Sequence, residues 1–138
     1  MKERVAVLLV SDQEAIYRQL KSVLEKQGVQ VRVAHYCAQV QNLLKQFALP
    51  AVIFSDTTLP DGSWADVLDL ASLAQRPVPL IVVSRIVNIN LYIGALERGA
   101  TDFVVPPFYC QDIAHVLGCA VQNGPGISDL PAWTLTAA

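Results

Sequence analysis

The chain is poor in the residues on which several common functions depend. It has three cysteines, Cys37, Cys110 and Cys119, and their spacing fits neither a CxxC pair nor a metal-ligand set. An odd number also excludes a fully paired disulfide framework. They are read as small apolar core residues in a reducing compartment, so a cytoplasmic location is expected. No cluster of Lys or Arg stands out against a net charge of −2, which leaves no cationic field to follow a phosphate backbone. Direct nucleic-acid binding is therefore not expected. The apolar runs fall far short of the ~20 residues that a bilayer-spanning helix needs. The first residues, MKERVAVLLVSDQE, have a basic start and a short apolar run but no small-residue cleavage site. No membrane association is expected either. A Gly-rich loop after the first apolar run, the usual phosphate cradle, is also missing.

What the chain does have is apolar content, 53% of 138 residues, enough for one domain with a sizeable core. Short apolar runs alternate with helix-period segments up to about residue 122, and that rhythm predicts strand-helix-strand units. The runs are VAVLLV (5–10), VQVRVA (29–34), AVIF (51–54), PLIVVS (79–84) and FVV (103–105). Continuous apolar strands imply a parallel sheet covered on both faces. Apolar residues at helical spacing lie between them, such as Ile16, Leu20, Val23 and Leu24, or Val40, Leu43, Leu44 and Phe47. Ser11 with Glu14 and Ser63 with Asp66 fit capping boxes, while Gly28 and Gly99 mark helix ends. The whole predicts an α/β domain with a doubly wound five-stranded parallel sheet and five helices over residues 1–122. Residues 123–138, with two glycines, two prolines and no helical period, are expected to be a flexible tail or linker remnant. Trp133 within them is a candidate to dock on the domain.

Parallel strands joined by crossovers place their following loops on one edge, where such sheets bind ligands. Ser11 and Asp12 then end the first strand, Asp56 the third and Ser84 the fourth, and Pro106 and Pro107 follow the fifth. Two carboxylates facing one crevice repel each other. A divalent cation relieves that repulsion, and Mg²⁺ typically takes one or two carboxylates and keeps several waters. Asp12 with Asp56 suits that habit.

Four stretches together resemble the response-regulator receiver domain of two-component signalling: LLVSD, VIFSDTTLPDG, IVVSR and GATDFVVPPF. The Asp-x-x-Leu-Pro unit, with a downstream Gly-Ala-x-Asp-aromatic and Pro-Phe, is the specific part. The resemblance covers residues 4 to about 122 and implies the flavodoxin-like strand order 2-1-3-4-5. It also implies that Asp56 is the phosphoacceptor, supplied by a histidine kinase or phosphotransfer protein. Asp12, Asp56 and the Thr58 carbonyl would hold Mg²⁺. Ser84 would be the hydroxyl that swings to a phosphoryl oxygen, and Phe103 the aromatic switch behind it. The face made by the fourth helix, fifth strand and fifth helix would serve partners or a homodimer.

Two positions depart from the family. Ser11 stands where a first acid is usual, and Pro106 stands where the lysine before the cis proline is usual. The lysine's ammonium normally meets the phosphoryl oxygens, and its loss removes the main cation of the switch. Arg85, next to Ser84, is a possible replacement that either clamps a phosphoryl group or covers Asp56; the plain alternative is a solvated surface arginine. Ser11 is read as a helix N-cap and Asp61 as a turn residue in Pro-Asp-Gly. Trp64 is read as a cover for the third helix, and His35 and His115 as isolated, without ligand spacing. The segment from Ile86 to Leu96 is apolar almost all round, which predicts a helix hidden on more than one side, with Leu91 or Tyr92 at an interface. Two functions follow: a phosphorylation-controlled receiver, or a pseudo-receiver that binds partners without phosphate. An enzyme is not expected, because the haloacid-dehalogenase type needs a second aspartate where Thr58 stands.

Overall fold

A strand with no polar face has no side to offer water, so each unbroken aliphatic run must be covered twice. The computed structural model describes residues 5–45 and 49–122. Phe47, Trp133 and the expected tail lie outside the described residues. In chain order the strands are β1 (Ala6–Val10), β2 (Gln30–Ala34), β3 (Val52–Asp56), β4 (Thr58–Leu59), β5 (Gly62–Ser63), β6 (Leu80–Val83) and β7 (Asp102–Val104). The helices are α1 (Glu14–Lys26), α2 (Cys37–Leu44), α3 (Trp64–Ser72), α4 (Ile89–Glu97) and α5 (Cys110–Gln122). Strands β3 and β6 are buried along their whole length, and β1 from Val7 onward. β2 and β7 are more open, as the two edges should be.

All five main strands pair in parallel in the order β2-β1-β3-β6-β7. That is the expected 2-1-3-4-5 once β4 and β5 are set aside. The latter form a small antiparallel ladder, Thr58 against Ser63 and Leu59 against Gly62, which the sequence reading treated only as a turn.

Alternate strand residues feed two separate cores, as the two-residue period of a strand requires. Leu8, Val10, Ile53, Leu80 and Val82 meet Val40 and Leu44 of α2, Val67, Leu68 and Ala71 of α3, and Ala95 of α4. Val7, Leu9, Phe54, Ile81 and Val83 meet Leu20 and Leu24 of α1, with Ile113, Val116 and Leu117 of α5. Each fully buried side chain of this size is worth about 1.5–3 kcal/mol over its exposed state.

Helix ends follow the local code in most places. Ser63 and Asp66 form the expected capping box on α3. Gly28 (φ 81°) and Gly99 (φ 110°) sit just past α1 and α4 in the left-handed region that favours glycine.

Four expectations are corrected. Ser11 is not the cap of α1; Gln13 is, and it makes no side-chain cap bond. α4 begins at Ile89 rather than Ile86, because the side chain of Asn88 accepts the Leu91 N–H (3.1 Å) and starts the helix there. Nor is that helix hidden: Ile89 is 63% exposed, Ile93 46%, and Ala95 alone is buried. Of the cysteines read as core residues, only Cys37 packs against a core, half-buried; Cys119 is half-buried and Cys110 exposed, and all three are free thiols.

Candidate functional site

The parallel strands deliver their C-terminal ends to one edge, and the ladder carries one residue further at two of them. The Ser11 N–H donates to the Ala34 carbonyl (2.9 Å), and the Ser84 N–H donates to the Val104 carbonyl (2.9 Å). Both side chains are thereby held at the edge. Between them Asp56 closes β3, paired with Val83 and only 3% exposed.

A carboxylate this buried needs partners, because removing a charge from water unpaired is costly. Asp56 has them on both oxygens. Oδ1 accepts the Thr57 N–H at 2.7 Å, and Oδ2 accepts the Ser11 hydroxyl at 2.9 Å. Arg85 adds a cation, with Nη2 at 4.0 Å from Oδ2 and its side chain half open to solvent. Ser11, read from sequence as a cap, is thus a buried donor to Asp56. The capping-box spacing misled because α1 starts only after Gln13, which leaves the Ser11 hydroxyl to donate to a partner 45 residues away.

Asp12, Asp56, Thr58, Ser84 and Arg85 all line one open pocket of about 610 Å³. Asp12 lies at its exposed rim, with Oδ1 accepting from the Gln13 side chain (3.3 Å). Not every expected site residue turns toward Asp56. The Ser84 hydroxyl donates to the Ile86 carbonyl at 2.8 Å. Phe103 is half-buried and meets Tyr92 edge to face, centroids 5.7 Å apart at 82°. Pro106 is joined to Pro107 by a cis peptide and does not line this pocket. Leu91 belongs to the pocket wall, whereas Tyr92 is on the exposed side of α4.

Two carboxylates, Asp12 and Asp56, beside Thr58 on one open pocket suit Mg²⁺, which commonly takes one or two carboxylates and keeps several waters. Among the described residues no three His, Cys, Asp or Glu side chains cluster as a full protein cage.

Two residues beside the site were not singled out for what they do. Asp61, at the tip between β4 and β5, reaches across to the start of α2, where its oxygens accept the N–H groups of Cys37 (2.7 Å) and Ala38 (3.1 Å). It does the work that α2's own N-cap, Tyr36, does not. The Cys37 N–H is the main reason the Asp61 carboxyl sits below its ordinary 3.8. Burial, and then the Asp61 charge, push the Cys37 thiol up to about 11, so it stays protonated and inert at neutral pH. His35 contacts Ser11 from the other side. Both contacts span more than 20 residues of sequence and leave no local signal.

A family model described as the response regulator receiver domain matches residues 7–117. Response regulator protein TmoT of Ectopseudomonas mendocina is 28% identical over 134 residues, an alignment that takes in 91% of this chain and 60% of that protein. The chain therefore spans less than two thirds of that relative. A putative response regulator from Chloroflexus aurantiacus superposes with a TM-score of 0.77 at 23% identity, covering 88% of this chain and 100% of that one. The beryllofluoride-activated NtrC4 receiver domain dimer gives 0.70 at 24% identity, covering 83% and 95%. Among the described residues, no helix is long and apolar enough to cross a membrane.

Proposed function

The chain belongs to the response-regulator receiver family of two-component signalling, and from that premise we propose that Asp56 accepts a phosphoryl group from a histidine kinase or phosphotransfer protein. The observation that carries this is the buried Asp56 carboxylate facing one open pocket with Asp12, its Oδ2 4.0 Å from the Arg85 guanidinium.

In the proposed reaction an Asp56 oxygen attacks phosphorus in line. The new oxygen–phosphorus bond forms as the bond from phosphorus to the donor's imidazole nitrogen breaks, and that nitrogen keeps the electron pair. Such transfers need little covalent help, so position and charge supply most of the acceleration. Thr57 N–H and the Ser11 hydroxyl fix the carboxylate's orientation. Arg85 takes the role of the lysine that Pro106 replaces, offering a guanidinium to the added oxygens. Asp12, Asp56 and the Thr58 carbonyl would hold Mg²⁺, which would supply further positive charge to the phosphoryl oxygens.

The product rewards motion. The Ser84 hydroxyl exchanges the Ile86 carbonyl for a phosphoryl oxygen, and Phe103 leaves Tyr92 for the space behind it. Tyr92, Ile89 and Ile93 then lie on the face that changes, and that face is the proposed homodimer or partner surface. The NtrC4 receiver, itself a dimer when activated, supports this reading. Residues 1–122 form the proposed receiver, acting in the cytoplasm, with 123–138 as a tail or linker.

Incubation with acetyl phosphate and Mg²⁺, followed by intact mass measurement, tests the acceptor. One added phosphoryl group on the wild type and none on Asp56→Asn is the expected result; equal labelling of both would overturn it. A second reading, a pseudo-receiver that works without phosphate, is favoured by one fact. Both Asp56 oxygens already have protein donors, and among the described residues no lysine lines the pocket. An unlabelled wild type that also fails to bind Mg²⁺ in calorimetry is the signature of that case.

A further inference from the structure

Ser11 is 1% exposed, and its hydroxyl is one of the groups holding Asp56. What holds Ser11 is a histidine. The His35 Nδ1 lies 3.0 Å from the Ser11 carbonyl oxygen. A carbonyl oxygen only accepts, so Nδ1 must carry the proton whatever the state of Nε2. Tyr17 of α1 meets the ring at an angle, centroids 5.5 Å apart, and the backbone beneath it is held as well, the His35 main-chain N–H donating to the Gln39 side chain of α2 at 2.6 Å. Ser11's remaining groups are in use as well. Its N–H donates to Ala34, and its hydroxyl also accepts the Gln13 N–H at 3.0 Å.

We propose that His35 is a positioning residue for the phosphoryl-accepting site, acting through the Ser11 peptide on the Asp56 carboxylate and on the Asp12 that follows. The functional half of this rests on Asp56 being the acceptor; the structural half does not. Without the imidazole donor, a carbonyl in a buried residue loses its partner, and the Ser11–Asp12 peptide turns to recover one from water. That turn takes the hydroxyl off Asp56 and shifts a carboxylate at the pocket rim. Small displacements of this kind matter for an in-line reaction, where a misplacement of ~1 Å costs up to about a hundredfold in rate.

The substitution His35→Phe keeps a ring against Tyr17 and removes the donor, while His35→Asn places an amide N–H near the position of Nδ1. The first measurement is made on the wild type: ¹⁵N shifts of the His35 ring report protonated Nδ1, and a ring protonated at Nε2 alone overturns the proposal. The second is amide exchange at Gln13, whose N–H is held by Ser11. It should rise about tenfold or more in His35→Phe and return toward wild type in His35→Asn; an unchanged rate in His35→Phe overturns the proposal even if no variant can be phosphorylated. The third is acetyl-phosphate labelling. His35→Phe should slow it by about threefold or more in the wild type and by clearly less in a Ser11→Ala background, where the hydroxyl route to Asp56 is already gone and only the route through Asp12 remains. Equal slowing in both backgrounds would place His35 outside this chain of contacts. A wild type that takes no label would count against Asp56 as acceptor, while the ring shifts and the Gln13 amide still judge His35.

Discussion

α3 and α4 are both nine residues long, yet they treat their apolar side chains in opposite ways. α3 buries Val67, Leu68 and Ala71 and starts with a complete capping box. α4, the more apolar of the two, buries only Ala95 and leaves Ile89, Tyr92, Ile93 and Leu96 at the surface. Their docking sites account for the difference. α3 lies against β3 and β6 in the middle of the sheet, whereas α4 packs on the edge strand β7. An edge strand is too narrow to cover an all-round apolar helix. How much a helix buries is therefore set by where it docks as well as by its composition, and the uncovered remainder of α4 is the kind of patch that marks an interaction surface.

The contrast is broken most severely by emptying the covered side. Leu68→Ala should cost about 2–3 kcal/mol of unfolding free energy in urea titrations, because it leaves a cavity in the core beneath α3. Ile93→Ala should change the same measurement by no more than about 0.5 kcal/mol. Equal costs at the two positions would remove the distinction. The uncovered side is probed by association instead. If α4 meets a second copy, Ile93→Ser should shift sedimentation of the phosphorylated protein toward monomer while leaving its unfolding midpoint in place. Unchanged sedimentation at every concentration would separate the exposed patch from self-association.

The smallest effect lies at the hairpin before α3. Asp61 has a depressed pKa, so the stability it lends to α2 is present above its ordinary 3.8 and is lost as pH falls through the lower folded value. Amide exchange at Cys37 and Ala38 should then quicken as the solution is taken below about pH 4. Asp61→Asn should show faster exchange at neutral pH and lack that acid-dependent step. The same step in both proteins would assign it to another carboxylate.

Much of this fold could be read before any coordinates. Short apolar runs located the five main strands, and the Ser63–Asp66 spacing and Gly28 and Gly99 located helix ends, because each of those signals is local. What escaped was non-local or too short to have a period. Ser11 looked like a cap because Glu14 follows at the right interval, yet the end of β1 turns its hydroxyl toward Asp56. Asp61 caps a helix that begins 24 residues before it. The β4–β5 ladder has two residues on each side, too few to alternate. The start of α4 was placed early because Ile86 and Val87 continue the apolar run, while the deciding residue, Asn88, is polar and acts by capping. Of the site, Ser11, Asp12, Asp56 and Ser84 could be placed at one edge from strand ends, and Thr58 only from the family resemblance. Arg85 required the structure, since nothing in a sequence distinguishes a solvated arginine from one that leans over a buried carboxylate.

The central claim is that Asp56 accepts a phosphoryl group with Arg85 as its cation, and labelling rates with acetyl phosphate and Mg²⁺ test it most directly. Wild type and Arg85→Lys should label at similar rates, Arg85→Ala about fivefold to tenfold more slowly, and Asp56→Asn not at all. Labelling of Asp56→Asn at the wild-type rate would contradict the acceptor, and an Arg85→Ala rate equal to wild type would contradict the cation.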